Sequence, residues 1–139
     1  MKLIFIFFFF IQINSKLELI DKISNCIISD MGRFKHTQIR AKDKSPPYKT
    51  KIIVRGKQGI QYHLGIFIQF LNDMRQKPEI FNNFEFDPIG GGFINIDRSN
   101  INIYGYSTAY GKAEHKITAG ILSLYYPNYK INYDERLIE

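Results

Sequence analysis

Apolar and polar positions along the chain fall into two periods. Ile60, Leu64, Phe67, Leu71 and Met74 recur at steps of four and three, which is one face of a helix that Pro78 ends. Ala113, Ile117, Ile121 and Leu124 give a second helix its face, and Pro127 stops it. Elsewhere the period is two. Phe34–Arg40 and the β-branched run Thr50–Arg55 read as strands, separated by a loop in which Ser45-Pro46-Pro47 enforces extended backbone. Phe84 and Phe86 mark a short strand. Ile94–Asp97 and Ile101–Tyr104 alternate strictly around Arg98-Ser99-Asn100, the pattern of a hairpin. Tyr129, Ile131 and Tyr133 alternate in a last strand. Two helices among about six strands predict an α/β fold of the α+β type, a mixed sheet flanked by two helices. There is no internal repeat and no dividing linker, so residues 17–139 are expected to form one domain.

The first sixteen residues stand apart. Lys2 precedes an apolar run, Leu3–Ile11, that is shorter than the roughly 20 residues needed to span a bilayer. It reads as a signal-peptide core or a misassigned start, with a weak cleavage site after Ser15. The first alternative implies secretion; the second leaves a cytoplasmic protein without stable membrane insertion.

Charge adds a constraint. Residues 1–58 hold twelve Lys/Arg and four Asp/Glu, whereas residues 59–139 hold seven and nine. The basic stretch Arg40–Lys57 would attract anions, through a nucleic-acid backbone or a phosphoprotein. Cys26 is the sole cysteine, which excludes an internal disulfide and an all-cysteine metal site. Cys26 and Arg33 have six residues between them, one too many for a Cys-x5-Arg phosphatase loop, and no Gly-x4-Gly-Lys-Ser/Thr motif is present. No metal-ligand pair is apparent, so neither a metal nor a cofactor is expected.

Three histidines remain. His36 falls in a strand, and His115 falls opposite the apolar face of the second helix, where solvation is the expectation. His63 opens the first helix, where the positive end of the helix dipole disfavours imidazolium. A neutral imidazole suits a nucleophile or general base. The turn Tyr104–Gly111, leading to the second helix, has the glycines of an anion-binding loop, and Ser107 adds a hydroxyl.

Together these motifs resemble the phosphohistidine phosphatase family, which includes the Janus and Ocnus proteins. The matching stretches are Gly32–Lys35 (G-x-F-K), Ile53–Gly56 (IVRG), Tyr62-His63, Gly90–Gly92, Tyr104–His115 (YGYSTAYGKAEH) and Tyr126–Ile131 (YPNYKI). The resemblance implies a metal-independent hydrolase acting on phosphohistidine-containing proteins, without a nucleic-acid partner and as a monomer. It implies His63 as the catalytic residue, general base or nucleophile. Lys35 and the backbone of Ser107, Thr108 and Ala109 would bind the phosphoryl group. Arg55 would belong to the same basic surround, with Gly91, Gly92 and Lys57 in support. One departure stands out: after the triple glycine the family's phosphatases carry an arginine, and this chain has Phe93. Lys57 or Arg55 is the expected substitute. The alternative is a Janus-type regulatory protein that recognises phosphate without turning it over.

Overall fold

A computed structural model describes residues 19–138; the apolar segment 1–16 lies outside the described residues. The strands are β1 (Cys26–Ile27), β2 (Gly32–Asp43), β3 (Thr50–Lys57), β4 (Phe84–Asp97), β5 (Asn100–Tyr104) and β6 (Lys130–Tyr133). The helices are α1 (His63–Arg75), a single turn α2 (Pro78–Phe81) and α3 (His115–Tyr125), and residues 19–21 are also helical. The sheet runs β1-β3-β2-β4-β5-β6. The long central pairs are antiparallel, while β1 on β3 and β6 on β5 are parallel. The fold is therefore a single α+β domain with a mixed six-stranded sheet. No helix among the described residues is long and apolar enough to cross a membrane.

Two apolar layers cover the two faces of the sheet. On one face Ile39, Ala41 and Ile53 pack with Phe70 and Met74 of α1 and with Phe84. On the other, Phe34, Val54, Ile94, Ile96, Ile101 and Ile103 pack with Leu122 of α3. Cys26 is buried in the second layer, and burial pushes its thiol up to about 11, which suits a small packing residue rather than a nucleophile.

Several expectations need correcting. The Phe84/Phe86 strand and the Ile94–Asp97 strand are one element, β4. Gln38 pairs with Gly90 and Ile39 with Pro88, so Ile89 is an extra residue at a β-bulge. The bulge reverses the side-chain parity: Phe84 faces the α1 layer, whereas Ile94 and Ile96, also even-numbered, face the α3 layer. Pro88, which has no N–H to give a ladder, sits at this irregularity. The strand count stays at six because the two-residue β1 was not expected. The β4–β5 turn is Arg98-Ser99, one residue shorter than expected, with Asp97 paired to Asn100 and Arg98 at φ 56°.

The helix faces are also rotated. The buried residues of α1 are His63, Ile66, Phe70 and Met74, with Phe67 and Leu71 flanking them, while Leu64 points outward and Ile60 precedes the helix. In α3 the buried residues are His115, Thr118 and Leu122, and Leu124 is 77% exposed. His115 is thus fully buried, contrary to its expected solvation. It pairs with His36, also fully buried, at a ring-centroid distance of 5.7 Å. His115 Nε2 donates to Gly105 O at 2.8 Å, but both ring nitrogens of His36 lack a partner among the described residues.

Burial holds His36 well below its ordinary value of 6.5, with His115 and His63 adding repulsion. Burial lowers His115 and His63 as well. In the unfolded chain all three would protonate near pH 6.5. Their contribution to stability is therefore complete above about pH 6.5 and shrinks as pH falls below it. The slope is about 1.4 kcal/mol per pH unit for each histidine that protonates only on unfolding. Urea unfolding measured between pH 7.5 and 5.5 should show this loss, and His36→Phe should make the slope shallower by about one proton.

Candidate active site

The site forms where the first turn of α1 meets β2 and β4. Gly59, at φ +81°, turns the chain after β3, and Tyr62 is the extended residue before the helix. His63 then enters α1 with its ring against β4. It is 6% exposed, and its Nε2 donates to Gly92 O at 2.8 Å. Thr37 Oγ1 donates to the His63 carbonyl at 3.4 Å. A ring N–H given to a carbonyl fixes the tautomer and leaves Nδ1 with its lone pair. Burial is the main force lowering the His63 pKa; the Gly92 bond opposes it and Lys35 adds to it. The imidazole is therefore neutral at pH 7.

The glycines make this approach feasible. A Cβ on Gly91 would lie 2.6 Å from His63 Cδ2 and 2.9 Å from His36 O, and one on Gly92 would lie 2.5 Å from Tyr104 O. Gly91 and Gly92 thus act through the space they leave. They also hold the next element, because Gly91 N–H donates to Gly111 O and Gly91 O accepts from Ala113 N–H, both at 3.0 Å.

That element is the loop Ser107–Gly111. Ser107 and Gly111 exchange backbone hydrogen bonds of 3.1 and 2.8 Å, and Ser107 Oγ accepts from Tyr110 N–H at 3.0 Å. The Ser107 amide is thus spent on shaping the loop, and its hydroxyl oxygen helps as an acceptor. Among the described residues the N–H groups of Thr108 and Ala109 have no such partner, and both residues are exposed along the cleft beside His63. The loop does not open a helix directly, since α3 begins only at His115, so the anion-binding potential here rests on loop amides and not on a helix dipole.

Lys35 projects from the same face of β2 as Thr37. Its Nζ donates to Gln61 O and lies 5.6 Å from the Tyr62 ring and 5.9 Å from the Phe93 ring. Phe93, paired with Lys35 across the strands, is 8% exposed. Its ring meets the His63 ring edge-on at 6.0 Å and stacks on Tyr104 at 5.7 Å. The cleft enclosed by these parts has a volume of about 730 Å³, and among the described residues Lys35 is the one charged side chain in its lining.

The structure therefore brings His63, Lys35, Ser107, Thr108 and Ala109 to one cleft, with Gly91 and Gly92 beneath. It does not bring Arg55 or Lys57 there. Both line a separate cavity of about 300 Å³. Arg55 is 7% exposed, donates from Nη1 to Ser24 O and Val54 O at 2.8 and 3.0 Å, and stacks over Phe70 at 5.3 Å. From that position neither substitutes for an arginine at residue 93. The basic stretch is dispersed too: Arg40 pairs with Asp87 at 3.6 Å and Lys51 is tied to Ile23 O.

The guanidinium that does stand at Phe93 belongs to Arg33, a residue sequence reasoning did not place at the site. It lies 4.3 Å from the ring centroid, and its Nε donates to Tyr104 Oη at 2.8 Å. Its position two residues before Lys35 was the available sign, because alternate strand residues share a face. Among the described residues there is no cluster of three or more His, Cys, Asp or Glu placed to hold a metal ion.

Residues 20–130 match the model of the Janus/Ocnus family. The chain is 32% identical over 112 residues to the 14 kDa phosphohistidine phosphatase of Sus scrofa, covering 76% of this chain and 85% of the relative. The human protein of that name is 31% identical, with 76% and 86% covered. Sex-regulated protein janus-A of Drosophila simulans is 33% identical over 108 residues, with 75% and 73% covered.

Proposed function

The chain belongs to the Janus/Ocnus family, and we propose that it is a protein-histidine phosphatase that uses His63 and no metal ion. The observation that carries this reading is a buried, neutral His63 beside Lys35 and the amides of Thr108 and Ala109. The substrates are phosphohistidine-bearing proteins, and the enzyme acts as a cytoplasmic monomer.

The chemistry needs little machinery. In phosphohistidine the P–N bond breaks readily once the leaving imidazole takes a proton. The protein has to hold the phosphoryl group and balance its charge. Lys35 supplies a point charge, and two loop amides supply directed donors. The Nδ1 lone pair of His63 serves either of two routes. As a general base it takes a proton from water while the water oxygen bonds to phosphorus and the substrate imidazole departs with a proton. As a nucleophile it bonds to phosphorus itself while the substrate's P–N bond breaks and its protonated imidazole leaves, and water then cleaves the new P–N bond to release phosphate and restore His63. Rapid quench at alkaline pH separates the routes, because only the second leaves label on the protein.

Lys35→Met should lower kcat/KM for a phosphohistidine peptide by about 10²-fold, as expected for one charge-stabilising donor. Steady-state kinetics, with circular dichroism as the folding check, measures this. A second reading, phosphate recognition without turnover, is favoured by Phe93 at the family's arginine position and by the janus-A relatives. Phosphate release distinguishes the two.

A further inference from the structure

α1 carries more apolar surface than the core uses. Ile66, Phe70 and Met74 are buried in the fold. A second pair, Leu64 and Ile68, steps by four along the neighbouring side, Ile60 continues it from the segment just before the helix, and none of the three belongs to a core layer. Leu64 is 50% exposed and Ile68 46%, and Tyr62 beside them is 65% exposed. All four line the cleft that holds His63 and Lys35.

Two observations say what covers this row. The first is continuity: it is the wall of the same cavity, not a separate patch. The second is size and charge. A volume of about 730 Å³ falls within the roughly 300–1,000 Å³ that encloses a drug-sized ligand, well beyond one phosphoryl group. Among the described residues the lining has no charged side chain beyond Lys35; of its polar groups, Ser107 and Thr108 lie at the phosphoryl end with His63, while the wall made by Ile60, Leu64 and Ile68 is apolar and suits an apolar group.

We propose that the Ile60–Leu64–Ile68 row is a specificity strip that seats an apolar side chain adjacent to the phosphohistidine. It rests on the phosphatase reading and narrows its substrate class to segments in which aliphatic or aromatic residues flank the phosphohistidine. Segments flanked by acidic or small polar residues leave the strip in water and are poor substrates.

The test uses the full-length chain and two short phosphohistidine peptides differing only in whether Leu or Ser flanks the phosphohistidine. The readout is the ratio of kcat/KM between them, in the wild type and in Leu64→Ser/Ile68→Ser. Both residues are solvent-exposed, so the double variant should fold. The expected result is a preference for the Leu peptide of about tenfold or more, the usual discrimination of an apolar subsite, falling to near unity in the variant. A wild-type ratio near unity, or a preference that survives the double substitution, overturns the proposal. So does concentration-dependent self-association that the variant abolishes, because a second copy would then be the occupant. The same ratio is read from Kd with peptides carrying a non-hydrolysable phosphoryl-triazole in place of phosphohistidine. Loss of turnover with the binding preference kept refutes the phosphatase reading alone; turnover without preference refutes the strip alone.

Discussion

Replacing His63 by alanine is expected to lower kcat for phosphohistidine hydrolysis by at least about 10²–10⁴-fold, the range for losing a general base, and by more if the ring is the nucleophile. His63 lines the cleft, and its ring's one hydrogen bond among the described residues is to the buried Gly92 O, so losing it costs about 1–3 kcal/mol and not the fold. The variant should accordingly keep its circular-dichroism spectrum and a cooperative urea transition. The pH profile of the wild type gives a second check. Burial and Lys35 hold the His63 pKa below 6.5, so the limb that reports its protonation should lie below pH 6.5, with activity maintained at and above that pH. A limb above pH 6.5 would mean that a different group controls the rate.

The second large effect falls on stability. Gly92→Ala would place a Cβ 2.5 Å from Tyr104 O and 2.7 Å from His115 Cε1. The first neighbour is backbone and the second a fully buried ring, so neither can yield without moving β5 or the histidine pair. Overpacking of this kind costs about 3 kcal/mol. Gly120→Ala is the matched control. It lies inside α3 with nothing within 4 Å of the added methyl, and it should stabilise by about 1 kcal/mol. Urea midpoints of the two variants against wild type decide the matter. A neutral Gly92→Ala would mean that β4 and β5 are not packed as described.

Much of this architecture was legible in the chain. Strict alternation in Ile94–Asp97 and Ile101–Tyr104 gave the hairpin, and the position of His63 before an apolar periodic run gave its place at a helix start. What escaped has identifiable causes. The bulge at Ile89 changes which face even-numbered residues occupy, so one long strand looked like two. Ile60 and Leu64 satisfied the helical period but face the cleft, because period alone does not say which of two apolar surfaces a row serves. His115 was misplaced because its helix buries a histidine and a threonine, polar residues that an apolar template scores as outward. Arg55 lies close to His63 in sequence and in a conspicuous motif, yet the course of the chain through Gly59 puts it in another cavity. Arg33 was weighed only against a Cys-x5-Arg loop, because its place at the site depends on a cross-strand neighbour more than fifty residues away, Phe93.

The most direct test of the central claim is phosphate release from a phosphohistidine peptide by the full-length wild-type chain in the presence of excess EDTA. Steady turnover is the expected result, with a phosphoserine peptide of the same sequence left intact. A well-folded protein that binds the peptide but releases no phosphate, with or without added divalent metal, would contradict the account and leave recognition as its role.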